Sequence, residues 1–207
     1  MPYLQPATNN YFGFMPAREG ARTGLYIVSS SEAGDINIGD VVVPTSLGTA
    51  AVAPAGGLVV GTILGVSASF LSNGTGKKAN PTTTQMVMLY DDPYQVFVGC
   101  DTTSGVFGPI NTTGGLFQNV SVATTGCTGS TGPNATLKRS VMAISGVLTS
   151  IARDYGVFKV LGMHPCEGNV ASSGASRGTV TSSGVRKWLL QPATHVLGIG
   201  TSGNLSS

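Results

Sequence analysis

Short runs of apolar residues recur along the chain, separated by groups of Gly, Pro, Asn and Asp residues. Most runs favour β-branched or aromatic side chains, as in Leu25-Tyr26-Ile27-Val28 and Met86-Val87-Met88-Leu89-Tyr90. Such runs between turn-forming residues are typical of β-strands. Many short strands joined by Gly-rich turns predict an all-β domain, which would be a sandwich or barrel of antiparallel strands.

One segment follows a helical period instead. Val141, Ile144, Leu148 and Ile151 have a 3-4-3 spacing, which would place them on one face of a helix. Gly146 lies inside this segment and disfavours a helix, since glycine loses more backbone freedom than alanine. The sequence therefore predicts at most one short helix, and it predicts it at this position.

The clearest structural turn is predicted at Asp91, Asp92 and Pro93, between two apolar runs. The ring of Pro93 fixes its own φ angle and keeps Asp92 out of the helical region. Aspartate side chains also accept hydrogen bonds from nearby backbone amides. We therefore expect a strand–turn–strand unit.

The first 24 residues have neither a strand period nor a helix period, which predicts an extended N-terminal arm. Its aromatic residues stand among Pro, Asn and Gly, and they are Tyr3, Tyr11, Phe12 and Phe14. These side chains would either pack on their own domain or dock on a neighbouring subunit, because aromatic residues are enriched at interfaces. The sequence leaves both alternatives open.

A chain of 207 residues favours a single domain. We divide it into an arm at 1–24, a β-rich domain at 25–200 and a loose C-terminal tail at 201–207. Only 10% of residues are charged, against about 25% in a typical soluble domain. Weak charge gives little protection against self-association. The surface is therefore either covered by uncharged Ser, Thr and Asn or buried in an assembly.

Charge and hydropathy also exclude classes of partner. A net charge of +2 provides no basic stripe for nucleic-acid phosphates. No run of 18 apolar residues occurs, so no membrane span is expected. Residues 1–15 lack the cationic start and the apolar run of a secretory signal.

The cysteines and histidines suggest neither a metal nor a cofactor. Cys100, Cys127 and Cys166 are odd in number and lack a C-x-x-C spacing, which predicts free, mostly buried thiols in a reducing compartment. His164 and Cys166 could both ligate a metal, but no second pair lies at finger-like spacing.

No catalytic set survives inspection either. Gly174-Ala175-Ser176-Arg177-Gly178 matches the G-x-S-x-G nucleophile elbow, and His195 follows it. The hydrolase order requires an acidic residue between the serine and the histidine, and none is present. We therefore predict that the protein is not an enzyme.

A series of short fragments occurs in order along most of the chain, and its most distinctive part is the Asp-Asp-Pro turn with Phe97. The fragments are Gly13-Phe14-Met15-Pro16, Leu25-Tyr26-Ile27, Ile38-Gly39-Asp40-Val41-Val42, Gly61-Thr62-Ile63-Leu64-Gly65-Val66-Ser67-Ala68-Ser69-Phe70, Tyr90-Asp91-Asp92-Pro93-Tyr94-Gln95-Val96-Phe97 and Lys159-Val160-Leu161-Gly162-Met163, followed by Asn169 and His195. This series resembles the capsid cement or decoration proteins of tailed bacteriophages.

The resemblance implies a structural protein of the virion, made in the cytoplasm of a bacterial host. It would bind the outside of the capsid, bridge neighbouring major capsid subunits and associate with itself as a homotrimer or homodimer. Tyr3, Tyr11, Phe12 and Phe14 would then contact the capsid or a sibling subunit. The alternative is another virion component, such as a head fibre, a tail part or a host-binding module.

Overall fold

The computed structural model describes residues 13–28, 35–52, 58–59, 61–70, 77–78, 85–100, 119–124, 140–147, 156–164 and 187–197. These residues form fourteen strands and no helix. The strands are β1 (Met15–Pro16), β2 (Thr23–Ile27), β3 (Asp35–Ile36), β4 (Val41–Pro44), β5 (Ala50–Val52), β6 (Leu58–Val59), β7 (Gly65–Phe70), β8 (Lys77–Lys78), β9 (Met86–Tyr90), β10 (Phe97–Cys100), β11 (Asn119–Ala123), β12 (Ala143–Val147), β13 (Phe158–Met163) and β14 (Lys187–Pro192).

The strands form two main antiparallel sheets and a small ribbon. A seven-stranded sheet has the order β1-β10-β14-β13-β11-β12. Its seventh strand, β6, pairs with the end of β11 that β13 leaves uncovered. A five-stranded sheet has the order β2-β9-β7-β4-β5, and β3 pairs with β8. The prediction of an all-β sandwich or barrel of short antiparallel strands is therefore confirmed, and the two packed sheets are those of a sandwich.

The main core contains large apolar side chains from both sheets. The rings of Phe14, Phe97 and Phe158 contact one another, with centroids 4.9 Å and 5.9 Å apart in the two pairs that include Phe158. On β14, Trp188 and Leu190 are buried and the residues between and beside them are less so, as strand alternation requires. Burial of these side chains is the dominant stabilising contribution to the sandwich.

A second core lies within the five-stranded sheet. An isolated bridge between Val28, which follows β2, and Ala50, which begins β5, joins the two outer strands of that sheet. The sheet therefore curls back on itself. The residues it encloses, together with Ile36 of the β3–β8 ribbon, are apolar and buried: Val28, Ile36, Val42, Ala50, Leu64, Val87 and Leu89.

The short helix predicted at 141–151 is wrong, because β12 occupies Ala143–Val147. Residues 141–144 are all buried, so both faces of this segment are covered. An apolar run covered on both faces does not alternate, and its period cannot separate a strand from a helix. The two residues of the predicted helix face that lie outside the described residues are Leu148 and Ile151.

The N-terminal boundary also differs from the expected one. Phe14 is 1% exposed and belongs to the main core, β1 pairs with β10, and β2 belongs to the five-stranded sheet. The boundary placed at residue 24 therefore lies inside the folded domain. Residues 1–12 and the tail at 201–207 lie outside the described residues.

Cys100 is not the free thiol that the sequence predicts. It ends β10, it is buried against Ala143, and it is disulfide-bonded to a partner outside the described residues. An odd number of cysteines without a C-x-x-C spacing does not reveal a pair that the fold brings together.

The part of the chain that the structure describes contains no helix that could span a membrane.

Candidate functional site

The turn between β4 and β5 presents an exposed leucine on a rigid frame. The Thr45 amide donates to the Thr49 carbonyl at 2.8 Å, and the two hydroxyls lie 2.8 Å apart. The Thr45 hydroxyl also accepts hydrogen bonds from the amides of Leu47 and Thr49, both at 3.2 Å. Gly48 adopts a positive φ of 74°, which favours glycine. The frame leaves Leu47 at the tip, 87% exposed.

The turn between β9 and β10 presents an exposed tyrosine in the same way. The Gln95 amide donates to the Asp92 carbonyl at 3.1 Å, and the Tyr94 amide donates to the Asp92 carboxylate at 2.9 Å. Pro93 occupies the position where its fixed φ suits a turn. Tyr94 is 68% exposed. The turn predicted at Asp91, Asp92 and Pro93 is present, but its flanking strands belong to different sheets.

These two turns lie at the same end of the five-stranded sheet. Both β4 and β9 are antiparallel to β7, so they run in the same direction and their turns leave the sheet at one end. Ile63, which precedes β7 at that end, bridges to His195, and Val196 and Leu197 follow it with about half their surface exposed. We call this set the turn end, and its exposed apolar residues are Leu47, Tyr94, Val196 and Leu197.

A second exposed apolar area lies on β2 and β9. Side chains alternate along β2, so that Leu25 and Ile27 are about half exposed while Tyr26 between them is less so. Ile27 pairs with Met86, which is also exposed, and Leu25 pairs with the half-buried Met88. These four side chains share one face of the sheet, since cross-strand partners lie on the same face.

Over Thr23 and Leu25, no strand among the described residues pairs with the side of β2 that faces away from β9. The Val28 amide donates to the Gln85 carbonyl, and the Asp91 amide donates to the Arg22 carbonyl, so even-numbered residues bond to β9. In an antiparallel ladder the intervening residues point their amides and carbonyls away from the partner strand. Thr23, Leu25 and Ile27 therefore aim these groups away from β9. The bridge between Val28 and Ala50 sets β5 beside Ile27, so the part of this side that no described strand covers is at Thr23 and Leu25. We call these two residues the β2 edge.

A buried carboxylate, Asp91, ties β2 to the end of β9. The Tyr26 hydroxyl donates to Asp91 Oδ2 at 2.9 Å, and Arg22 Nε lies 3.3 Å from Asp91 Oδ1 in an ion pair without hydrogen-bond alignment. Gly24 packs so close to the Asp91 carboxylate that a Cβ there would collide with Oδ2. Because Asp91 is 97% buried and Arg22 largely exposed, the pair is a structural anchor of modest strength.

Two groups near this carboxylate have shifted pKa values. Burial, together with the hydrogen bond to Asp91, raises the pKa of Tyr26 to about 12. Burial lowers the pKa of His195, and the negative charge of Asp91 opposes this shift only in part. The His195 Nδ1 atom accepts a hydrogen bond from the Leu197 amide at 3.0 Å, which requires an unprotonated Nδ1. The Tyr26 hydroxyl thus helps to hold β2 to β9, and His195 lies at the bridge to Ile63.

The other residues proposed from the sequence have different positions. Phe14 packs within its own domain, so its side chain has no surface to offer a neighbouring subunit, contrary to that expectation. Among the described residues, no three His, Cys, Asp or Glu side chains group as a metal site would need. The candidates that lie outside the described residues are Tyr3, Tyr11, Phe12 and Ser176.

Sequence reasoning missed the exposed apolar residues. In the sequence, the apolar pair Val196 and Leu197 is typical of a strand, and so is the run that contains Leu25 and Ile27, so neither signals an exposed residue. Leu47 offered one local signal, because it stands alone between Ser, Gly and Thr residues in a turn, where no core could receive it.

No protein-family model, curated protein or solved structure matches the chain.

Proposed function

We propose that the protein is a structural component of a virion that binds the outer surface of a phage capsid and holds neighbouring major capsid subunits together. The observation that carries the proposal is the turn end, where large apolar side chains at one end of the five-stranded sheet are exposed instead of packing in either core. Exposed apolar patches on a protein surface mark interaction sites.

The frame of each turn supports a docking role. Five hydrogen bonds hold the Thr45–Thr49 turn, and two hold the turn at Asp92. A side chain presented by a rigid loop loses little conformational entropy when it binds, so more of its burial contributes to affinity. Tyrosine is among the residues most enriched in the energetically dominant part of interfaces.

The composition of the chain suits a protein that covers another protein. With 10% charged residues and a net charge of +2, its surface presents little long-range repulsion to further copies bound nearby. Weak individual contacts would add together if several copies engage one lattice. The ordered fragments that resemble those of phage cement proteins agree with this interpretation.

The test is co-sedimentation of the purified protein with expanded heads that lack it. The wild-type protein should bind saturably, and the double variant Leu47→Ser/Tyr94→Ser should bind at least about tenfold more weakly, because it loses two apolar anchors. The matched control is Lys159→Ala, an exposed change on the seven-stranded sheet, which should bind normally. Fluorescence of Trp188 checks that each variant is folded.

Two outcomes would contradict the proposal. Wild-type protein that fails to bind any head preparation would remove the function, and equal binding by the double variant would remove the turn end as its surface. Binding to tails, fibres or host cells but not to heads would favour the alternative, a different virion component. A search for the protein in fractionated particles distinguishes these cases.

A further inference from the structure

The buried ring of His195 positions the two apolar residues that follow it. His195 is 6% exposed, and its Nδ1 atom accepts a hydrogen bond from the Leu197 amide at 3.0 Å. The Val196 amide donates to the Ile63 carbonyl at 3.0 Å, beside the parallel bridge that joins Ile63 to His195. These two hydrogen bonds fix the backbone where Val196 and Leu197 reach the turn end.

The residue before His195 is anchored without help from the ring. The Thr194 hydroxyl lies 2.7 Å from the Gly61 carbonyl oxygen and 3.1 Å from the Gly156 carbonyl oxygen, so it can donate to either. The Ile63 amide donates to the Thr194 carbonyl at 3.2 Å. A change in the His195 ring would therefore act on the residues after it and leave Thr194 in place.

The hydrogen bond from the Leu197 amide depends on the protonation state of the ring. An imidazole nitrogen accepts a hydrogen bond only while it carries no proton, and in the imidazolium form both nitrogens carry one. A protonated Nδ1 would point its N–H group at the N–H group of Leu197, so the contact would become repulsive. Protonation would also place a positive charge in a buried position, which is costly.

We propose that His195 is a pH-sensitive switch, which holds Val196 and Leu197 at the turn end while its ring is neutral and releases them when the ring is protonated. In the released arrangement the ring reaches solvent and the segment after Thr194 leaves Ile63. Histidine is the side chain whose charge ordinarily changes between pH 5 and pH 8.

The charged groups that face His195 set the direction of the response. Burial lowers the pKa of His195 below its usual value of 6.5, the charges of Asp91 and Asp92 and the backbone of Leu64 raise it, and the charge of Arg22 lowers it. The sum is a lowered pKa, so the held arrangement resists the proton. A released ring takes up the proton more readily, and acid pH therefore favours release.

This linkage also gives the size of the effect. Above pH 6.5, the usual pKa of histidine, the ring is neutral in both arrangements and pH does not change their ratio. Below that value the ratio of released to held segment should rise by up to about tenfold for each pH unit. The rise ends where the buried ring itself takes up the proton.

Release would remove part of the turn end and leave the rest. Val196 and Leu197 are two of its four exposed apolar residues, while Leu47 and Tyr94 stand on turns that their own hydrogen bonds hold. The protein should therefore bind heads more weakly at acid pH. This consequence rests on the proposed function, whereas the switch itself concerns the protein alone.

NMR spectroscopy of the ¹⁵N-labelled full-length protein, titrated from about pH 7.5 to about pH 5, tests the switch. The Leu197 amide proton should move upfield, and its protection from hydrogen exchange should fall at least about tenfold, as its acceptor is lost. The Ile63 amide, which donates to Thr194, should stay protected. The fluorescence of Trp188 should stay that of the folded protein.

Two variants assign the response to His195. An asparagine side chain accepts from the amide two residues on without titrating, as in an Asx-turn, so His195→Asn should keep Leu197 protected at every pH. The matched control is His164→Gln, because His164 is the other histidine of the chain and its pKa is also lowered, by burial and by the charge of Lys187. This variant should respond to pH as the wild type does.

Co-sedimentation with heads at the two ends of the titration tests the consequence. Wild-type protein should bind more weakly at the acid end, and His195→Asn should bind equally at both. Equal binding by the wild type, with release seen by NMR, would show that Val196 and Leu197 add nothing to the head-binding surface.

Three outcomes would overturn the switch itself. The Leu197 amide could ignore pH, its response could persist in His195→Asn or vanish in His164→Gln, or it could coincide with loss of the Trp188 signal, which would mean that acid unfolds the domain instead of releasing the segment. No head takes part in the NMR measurements, so their failure leaves the capsid proposal untouched. A wild-type protein that binds no heads would remove the capsid proposal and leave the switch.

Discussion

Alanine at Gly99 would put a methyl group into space that the Phe14 ring occupies. A Cβ at Gly99 would lie 2.5 Å from Phe14 Cδ1 and 2.8 Å from Leu190 Cδ1, both shorter than a van der Waals contact. The Phe14 ring also packs on Phe158, with centroids 4.9 Å apart, so it has little room to withdraw. Overpacking of this kind costs about 1–3 kcal/mol.

The direction of the change in the free energy of unfolding distinguishes an obstructed glycine from an unobstructed one. Glycine inside a strand normally costs about 0.5–1 kcal/mol relative to alanine, so an unobstructed replacement stabilises. Gly162 on β13 is the matched control, because nothing lies within 4 Å of the position that its Cβ would take. We expect Gly99→Ala to lower the free energy of unfolding and Gly162→Ala to leave it unchanged or raise it.

A double-mutant cycle assigns the cost to Phe14. Phe14→Ala removes a buried ring of roughly 200 Å², worth about 5 kcal/mol at about 25 cal/mol per Å². In that background the collision with the Phe14 ring is gone and only the contact with Leu190 Cδ1 remains, so Gly99→Ala should cost much less there. The coupling between the two sites should then be about 1–3 kcal/mol.

Urea unfolding followed by fluorescence measures these differences directly. Trp188 is the single tryptophan of the chain, it is 1% exposed, and it pairs with Gly99 across β10 and β14. Equal effects of the two glycine substitutions would refute the packing of Phe14 on Gly99. Additive costs in the double-mutant cycle would refute it as well.

Two pH series test the buried groups near Asp91. Tyr26→Phe should lower the free energy of unfolding by about 1–2 kcal/mol at neutral pH. The pKa of Tyr26 is raised from 10.0 to about 12. The stability difference between the variant and the wild type should therefore be complete below pH 10 and vanish as pH rises through 12. The pKa of His195, which faces Asp91, Asp92 and Arg22, is lowered in the folded protein. Below pH 6.5, the usual pKa of histidine, His195 therefore takes up a proton more readily in the unfolded chain than in the folded one. Wild-type stability should therefore fall as pH drops below 6.5, and His195→Gln should remove this slope; parallel urea midpoints for variant and wild type would contradict either expectation.

The strands and the turn at Asp92 could be predicted from sequence because their causes are local. A β-branched run such as Val41-Val42-Val43 prefers an extended backbone wherever it stands, and Pro93 restricts the chain with no help from the fold. Both sheets are built from such segments. The all-β class followed from them without knowledge of a single strand pair.

The remaining features arise from contacts between distant segments. Phe14 is buried because β10 brings Gly99 beneath its ring, and no pattern near residue 14 reveals a glycine 85 positions away. The turn end exists because β4 and β9 run in the same direction, which depends on the strand order. Sequence period describes one segment at a time, so it could not place Leu47, Tyr94 and Val196 at one end of the sheet.

The position of β14 governs when this protein can fold during its synthesis. β14 follows the other thirteen described strands in the chain, yet it lies between β10 and β13 in the seven-stranded sheet. A nascent chain that has not reached Lys187 lacks both the strand that joins β10 to β13 and the buried Trp188. The sandwich therefore closes only after the ribosome has passed residue 192, and incomplete translation products would carry exposed edges for proteases and chaperones to recognise.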